Sequence, residues 1–400
     1  MGERSPCSLN ALGVVNCLGA DRSEIWRRLV DGDQSRFTVR DDFVPDRSLL
    51  VGEVTAALPK LPAELARYAC RNNSLTLLAL EQIRDEVDTA LGRFGRARVG
   101  VVLGTSTSGV GDAEAAIAHH VRSGALSPSF FYDQLEFGGA AGFVAELLDL
   151  GGPAYTLSTA CSSGARALAS ARSLIRMGVC DAVLAGATDS LCGLTTAGFT
   201  ALQAVSDEIT NPMSRNRKGL TLGEGAAVFL VTRDADGIQL LGAGESSEAH
   251  HMSAPDPAGS GARSAMELAL ADAGLDARDV AYLNLHGTGT SLNDSMESTA
   301  VAAVFEAGVP CSSTKALVGH TLGAAGAMEA AFCWLLLAAR EGDELPLPPH
   351  CWDGVQDDEL PSLKLAARGA RVRAAAPARV MSNSFGFGGN NCTLVLGEPC

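Results

Sequence analysis

Tyr155-Thr-Leu-Ser-Thr-Ala-Cys-Ser-Ser-Gly-Ala-Arg-Ala-Leu168 reads as a strand, a tight turn and the start of a helix. Tyr155 to Ser158 is β-prone, and the alanine-rich run past the turn keeps helical character to Met177. Cys161 therefore falls at a strand-to-helix corner, at or near a helix N-terminus. Unpaired N–H groups and the positive end of the helix dipole favour thiolate over thiol there. A free cysteine is equally at home as a small core hydrophobe, and this segment alone does not separate nucleophile from packing residue.

Two histidines downstream tip the balance. Ala281 to Leu285 is an apolar run that opens at His286 into Gly287-Thr-Gly-Thr290. His320 follows Ser312-Ser-Thr-Lys-Ala-Leu-Val-Gly319 and stands just before a helix-forming stretch. A lone histidine in an apolar setting is most often a satisfied core residue. Two of them, each at an element's end and each beside glycines that allow close backbone approach, point to a ligand-facing site.

With these residues in hand, the chain resembles the β-ketoacyl-acyl-carrier-protein synthases, the condensing enzymes of the thiolase-fold superfamily. The resemblance runs from about Ala11 to Leu396. It rests on Thr159-Ala-Cys-Ser-Ser-Gly164, on His286-Gly-Thr-Gly-Thr290, on Lys315 with His320 five residues later, and on Ser384-Phe-Gly-Phe-Gly-Gly-Asn390. It implies an α/β thiolase-like fold of two duplicated halves packed as an α-β-α-β-α layered sandwich. The sequence carries its own echo of a duplication. Arg98 to Ser108 matches Tyr282 to Ser291 as a short apolar strand with a Gly/Thr turn, and the helix after Cys161 matches the helix after His320. The polar turn Arg233-Asp-Ala-Asp-Gly237 is the expected boundary, giving halves 1–235 and 236–400.

Site roles follow from the resemblance. It implies Cys161 as acyl-accepting nucleophile and His286 and His320 as donors to the enolate oxygen formed when a malonyl thioester loses CO2. Lys315 belongs to the same catalytic set, with Asp294, Glu297 and Glu329 in support. Cys161 and Phe387 would offer backbone N–H groups to tetrahedral intermediates, and Phe385, Gly386, Phe387 and Gly388 form a gate for the acyl chain. Thr288 and Thr290 match hydroxyls that bind the phosphopantetheine arm. Arg67, Arg71, Arg215 and Arg217 are candidate carrier contacts by position and charge. No metal and no cofactor are implied beyond the carrier's own phosphopantetheine, and the expected assembly is a homodimer or a heterodimer with a related subunit.

Departures from the family pattern are Asn390-Asn391 where threonine usually precedes asparagine, Arg217-Lys218-Gly219 where a carboxylate is usual, and a shortened N-terminal strand. They leave room for polyene or polyketide assembly beside fatty-acid elongation. Two other readings are a non-catalytic chain-length-factor-type subunit, which typically lacks the reactive cysteine, and a coenzyme-A-dependent thiolase, which uses a second cysteine near the C-terminus. Cys392 follows the glycine-rich turn, but in a strand-like run.

The composition agrees with a large enzyme. Four hundred residues, 46% hydrophobic but only 5% aromatic, suit buried strands under closely approaching helices. A net charge of −15 argues against nucleic acid. It also conflicts with docking an acidic carrier, unless a local basic patch does so. Met1-Gly-Glu-Arg-Ser-Pro6 lacks a leader's basic and apolar regions, and eleven cysteines without metal-type spacing read as reduced cytoplasmic thiols. Leu322 to Ala339 is long enough to span a membrane. Glu329 and its small residues make it a buried helix instead, so no membrane partner is expected.

Overall fold

The computed structural model describes residues 6–399; the Met1–Ser5 part of the leader reading lies outside them. Apolar runs with no polar face form the central strands. Every residue of Val99–Gly104, Ala182–Asp189 and Gly225–Thr232 is buried, as strands covered on both faces require.

Ten strands make the frame: β1 (Ser8–Val15), β2 (Val99–Gly104), β3 (Ala154–Leu157), β4 (Ala182–Asp189), β5 (Gly225–Thr232), β6 (Ile238–Ser247), β7 (Tyr282–Asn284), β8 (Pro310–Ser312), β9 (Arg379–Gly386) and β10 (Asn390–Gly397). Their order is β3-β2-β4-β5-β1 in the first half and β8-β7-β9-β10-β6 in the second. In both, the first three neighbours run parallel and the remaining pairings are antiparallel. The halves are therefore one topology used twice. Ser8 and Leu9 of β1 join them by pairing with Gln239 and Ile238 of β6. The polar turn 233–237 separates β5 from β6.

Helices fill three layers around these strands. Between the halves lie α3 (Ser163–Arg176) and α6 (Ala325–Ala338); Leu168, Leu174, Phe332 and Leu336 share one core with Phe229 of the first half and Val380 and Leu394 of the second. Outside the first half, α1 (Arg71–Glu81) and α2 (Gly139–Leu147) cover Val101, Leu184 and Val228. Outside the second, α4 (Ser260–Ala273) and α5 (Ser291–Val304) cover Leu283, Met381 and Val395. The result is the five-layer α-β-α-β-α sandwich. The central helices meet backbone to backbone: a Cβ on Gly164 would stand 2.6 Å from the Ala327 nitrogen, and one on Gly326 2.7 Å from that of Ala165.

Several local expectations change. The stretch from Asp41 to Leu61 contains most of a hairpin, Thr38–Val44 with Arg47–Gly52, which joins Leu222–Gly223. Val39 is exposed while Arg40 is half-buried against Glu53, so the hairpin shows no clean apolar–polar alternation. The tail from Gly342 to Arg379 carries the short pair Glu344–Pro346 and Arg371–Arg373. β1 is an eight-residue strand paired on both sides. The apolar run at 322 breaks into a 3-10 turn, Leu322–Ala324, and the 14-residue α6. Among the described residues no helix is long and apolar enough to cross a membrane.

Candidate active site

Cys161 sits where the sequence placed it, in the turn between β3 and α3, and is buried. The preceding Ala160 takes φ +54°, a left-handed conformation that is costly for a residue with a Cβ. Ser163 fastens the turn: its hydroxyl accepts the Thr159 N–H at 2.8 Å and donates to the Ala160 carbonyl at 2.6 Å. The helix begins two residues beyond the sulfur. Burial pushes the thiol up to about 11, against the opposing pull of the Lys315 charge and of the Phe387 N–H, which hydrogen-bonds toward the sulfur. The expectation of a standing thiolate is corrected accordingly: desolvation disfavours the charged form.

His286 follows β7 and His320 follows a short turn of helix, Lys315–Val318. The His320 Nε2 lies 3.1 Å from the Cys161 sulfur, and the two imidazoles stand edge to face with centroids 5.3 Å apart. The network assigns their tautomers. His320 Nδ1 accepts the Leu322 N–H at 3.2 Å, and His286 Nδ1 faces the Lys315 amine at 3.2 Å. With both Nδ1 atoms facing donors, each neutral ring carries its proton on Nε2. Burial first, then the Lys315 charge, holds both histidines well below their ordinary range, so they stay neutral.

Three carboxylates brace this arrangement. Lys315 is buried, donates to the His286 carbonyl and pairs with Glu329 on α6. Glu297 accepts the N–H groups of His286 at 2.7 Å and Gly287 at 2.6 Å, and Asn383 donates to it at 3.2 Å. Asp294 accepts from Met213 at 2.7 Å and Gly289 at 3.2 Å, holding the other end of the turn. Burial raises Glu297 and Glu329 to about 7.

Cys161, His286 and His320 form part of the wall of a cavity of about 290 Å³, together with Thr288, Thr290, Phe385, Gly386, Phe387 and Gly388. Thr288 and Thr290 hydroxyls lie 2.8 Å apart, and the Phe385 ring is 6.0 Å from that of His286. Phe387 rests its ring on Phe199 at 5.6 Å. Gly389 could carry no side chain, since its φ is +75° and a Cβ would meet the Glu248 carbonyl oxygen at 2.1 Å. One ligand atom each from Cys161, His286 and His320 lie within 4.8 Å of one another, a spacing a metal could use. The donor pattern opposes it. A metal on Nε2 would force the ring proton onto Nδ1, against the Leu322 N–H and the Lys315 amine.

Each of the four candidate arginines is paired with a carboxylate. Arg71 is tied to buried Glu224 and to the Val54 carbonyl, and Arg217 is nearly buried against Asp357 and the Ser214 carbonyl. Both serve the fold. Arg67 and Arg215 are more exposed, but each carries a carboxylate, Glu146 and Asp358.

Sequence reasoning passed over Asp189 and Phe199. Asp189 ends β4 fully buried and receives the Thr105 hydroxyl at 2.6 Å, the Thr107 hydroxyl at 2.7 Å and the Gly323 N–H at 2.5 Å, which fixes the segment after His320. A carboxylate closing an unbroken apolar run was the available signal, since it has to find partners. Phe199, in the helix Gly193–Ala201, had no local signal.

Comparison with known proteins shows the family. The beta-ketoacyl synthase N-terminal domain matches residues 8–237 and its C-terminal domain residues 239–342. A 3-oxoacyl-[acyl-carrier-protein] synthase 2 of Coxiella burnetii is 32% identical over 98% of this chain and 99% of its own. Nodulation protein E of Rhizobium meliloti is 31% identical over 97% and 98%. Among solved structures, the complex of a ketosynthase with its chain length factor from Xenorhabdus doucetiae contains a chain 43% identical, with TM-score 0.93 and 98% of both chains covered.

Proposed function

The chain belongs to the β-ketoacyl synthase family, and from that premise we propose how its residues divide the work of condensation. The reaction is an acyl transfer followed by a decarboxylative Claisen condensation, as in fatty-acid or polyketide chain elongation. Cys161 attacks the thioester of an acyl group borne on a carrier's phosphopantetheine. The acyl group moves to the sulfur, and the cysteine's proton leaves with the carrier thiol. Malonyl carrier then enters and loses CO2. The electron pair of the broken bond becomes an enolate, whose oxygen receives Nε2–H donors from His286 and His320. Its carbon attacks the acyl-cysteine, the oxyanion is met by the Cys161 and Phe387 N–H groups, and collapse expels the Cys161 sulfur.

The observation that carries this reading is the Cys161–His286–His320 cluster, drawn from both halves, with each Nδ1 facing a donor and each Nε2 left with its proton. Because an enolate needs donors that are neutral and already aimed, lowered histidine pKa values help it. Thr288 and Thr290 hold the pantetheine arm, and Phe387 against Phe199 gates the acyl channel. No further cofactor enters the scheme.

The retained cysteine sets the chain apart from non-catalytic partner subunits. Cys392, the thiolase-type alternative, is fully buried in β10 and does not line the cavity. We place the protein in a specialised elongation pathway, paired in the cytoplasm with a related subunit. Supporting this are its likeness to a chain from a ketosynthase–chain length factor complex, ten buried, unpaired cysteines among the described residues, and an unpartnered face. That face comprises exposed Ile117, Val121, Tyr132 and Phe137, while β3 ends the sheet.

Mass spectrometry after incubation with acyl carriers of varied chain length tests the assignment. Acylation should map to Cys161 and vanish in Cys161→Ala, whereas His320→Ala should keep acylation and lose malonyl decarboxylation by about 10²–10³-fold. Acylation at another cysteine, or equal loss of both steps in His320→Ala, would contradict it.

A further inference from the structure

The rim of the catalytic cavity is apolar, and we infer that the acyl carrier protein docks on it through aliphatic contacts rather than through a basic patch. This rests on the condensing function proposed above.

Three elements bring large aliphatic side chains to the mouth. Leu202 follows the helix Gly193–Ala201 and is 56% exposed; Leu292 opens α5 and is 58% exposed; both line the cavity. Met252, 81% exposed, stands beside the lining residues Ser253 and Ala254, and its carbonyl accepts the Gly388 N–H at 2.9 Å, so it rides on the glycine-rich turn. Phe387, 38% exposed, completes the rim. Isolated exposed leucines need no explanation, but aliphatic groups converging on one opening form an interaction surface.

Charge identifies the occupant's mode of binding. Among the described residues no lysine or arginine lines the cavity, and the one carboxylate that does is Glu248. The chain carries a net −15, so its long-range field opposes an acidic carrier. Arg71 and Arg217 are consumed within the fold, and Arg67 and Arg215 are each neutralised by a carboxylate. The cavity leads to the Cys161 sulfur, and the thioester that reaches it is tethered to a carrier, so the carrier covers the opening. Attraction there comes from burying Leu202, Leu292 and Met252.

The test measures Cys161 acylation by acyl carrier and by the same acyl group on free pantetheine, at low and high salt, in the wild type, Leu202→Glu, Leu292→Glu, Met252→Glu and the double variant Arg67→Glu/Arg215→Glu. The expected results are a KM for carrier that changes less than about threefold with salt, and glutamate rim variants whose carrier-to-pantetheine rate ratio falls about tenfold or more. The arginine double variant should stay near wild type. A KM that climbs steeply with salt, together with loss in the arginine variant and none in the rim variants, would overturn the inference. So would rim variants that change the protein's oligomeric mass, which would make the rim a subunit contact. If pantetheine acylates Cys161 but no carrier does, the carrier-dependent function itself fails; if carriers acylate it regardless of the rim, only the docking surface fails.

Discussion

At the residue scale, the two clustered histidines are held by what sits behind them. Lys315 faces three acceptors at once: the His286 carbonyl, His286 Nδ1 and Glu329. Replacing it with methionine leaves Glu329 buried without its partner, and removing one member of a buried pair costs about 3–5 kcal/mol. Lys315→Met should therefore unfold at lower urea concentration. Adding Glu329→Leu should recover much of that stability while malonyl decarboxylation stays low, because nothing then fixes the His286 tautomer. Recovery of both would reduce Lys315 to a structural residue. The histidines also set a pH signature. Burial and the Lys315 charge depress both pKa values, so protonation, which would remove the neutral imidazole, begins only well below the ordinary value of about 6.5. The imidazole 15N shifts of His286 and His320 should therefore stay those of neutral rings from pH 7.5 to about 6, while Glu297 and Glu329, raised to about 7, titrate within that window. Imidazole shifts that titrate with a midpoint near 6.5 would show ordinary histidines.

At the element scale, the helix Gly193–Ala201 walls the cavity through Phe199 and is held from a distance. Its N-terminal Gly193 and Leu194 N–H groups go to the two oxygens of Glu114, at 2.9 and 2.6 Å, and near its other end Phe199 supports Phe387. A carboxylate at a helix N-terminus satisfies orphan donors and opposes the dipole. Glu114→Ala should cost about 1–2 kcal/mol in urea unfolding and slow acylation by long chains more than by short ones. An unchanged chain-length profile would mean that Phe199 is placed by packing alone. Glu114 itself lies in the helix Val110–Ser123 that exposes Ile117 and Val121, so a partner on that face would bear on the channel wall. Val121→Glu should accordingly abolish association with a related subunit in native mass spectrometry. Retained association would move the interface elsewhere.

At the scale of the whole molecule, the two halves repeat one topology yet share their largest core. α3 and α6 come from different halves, and residues of both sheets close on them. The cluster in the cavity is split likewise, with Cys161 from one half and His286 and His320 from the other. Unfolding should therefore be a single transition, coincident by tryptophan fluorescence and far-ultraviolet circular dichroism. Two separated transitions, one per half, would show that the shared layer is weaker than its burial implies.

Much of this was legible in the chain because it is local. A strand, a turn and a small-residue helix placed Cys161 within a residue or two of its position. The glycines beside His286 and His320 marked both as turn residues, and the echo between the halves recurs in the matching places of β2 with β7 and of α3 with α6. The hairpin at 38–52, the pairing of Arg71 with Glu224 and of Arg217 with Asp357, and the clasp of Asp189 on Gly323 join residues far apart in sequence, and no local pattern encodes such partners. The thiol's protonation was likewise decided in three dimensions. The helix N-terminus that favours thiolate can be read from sequence, but the desolvation that pushes the thiol up arises only when the fold buries the sulfur.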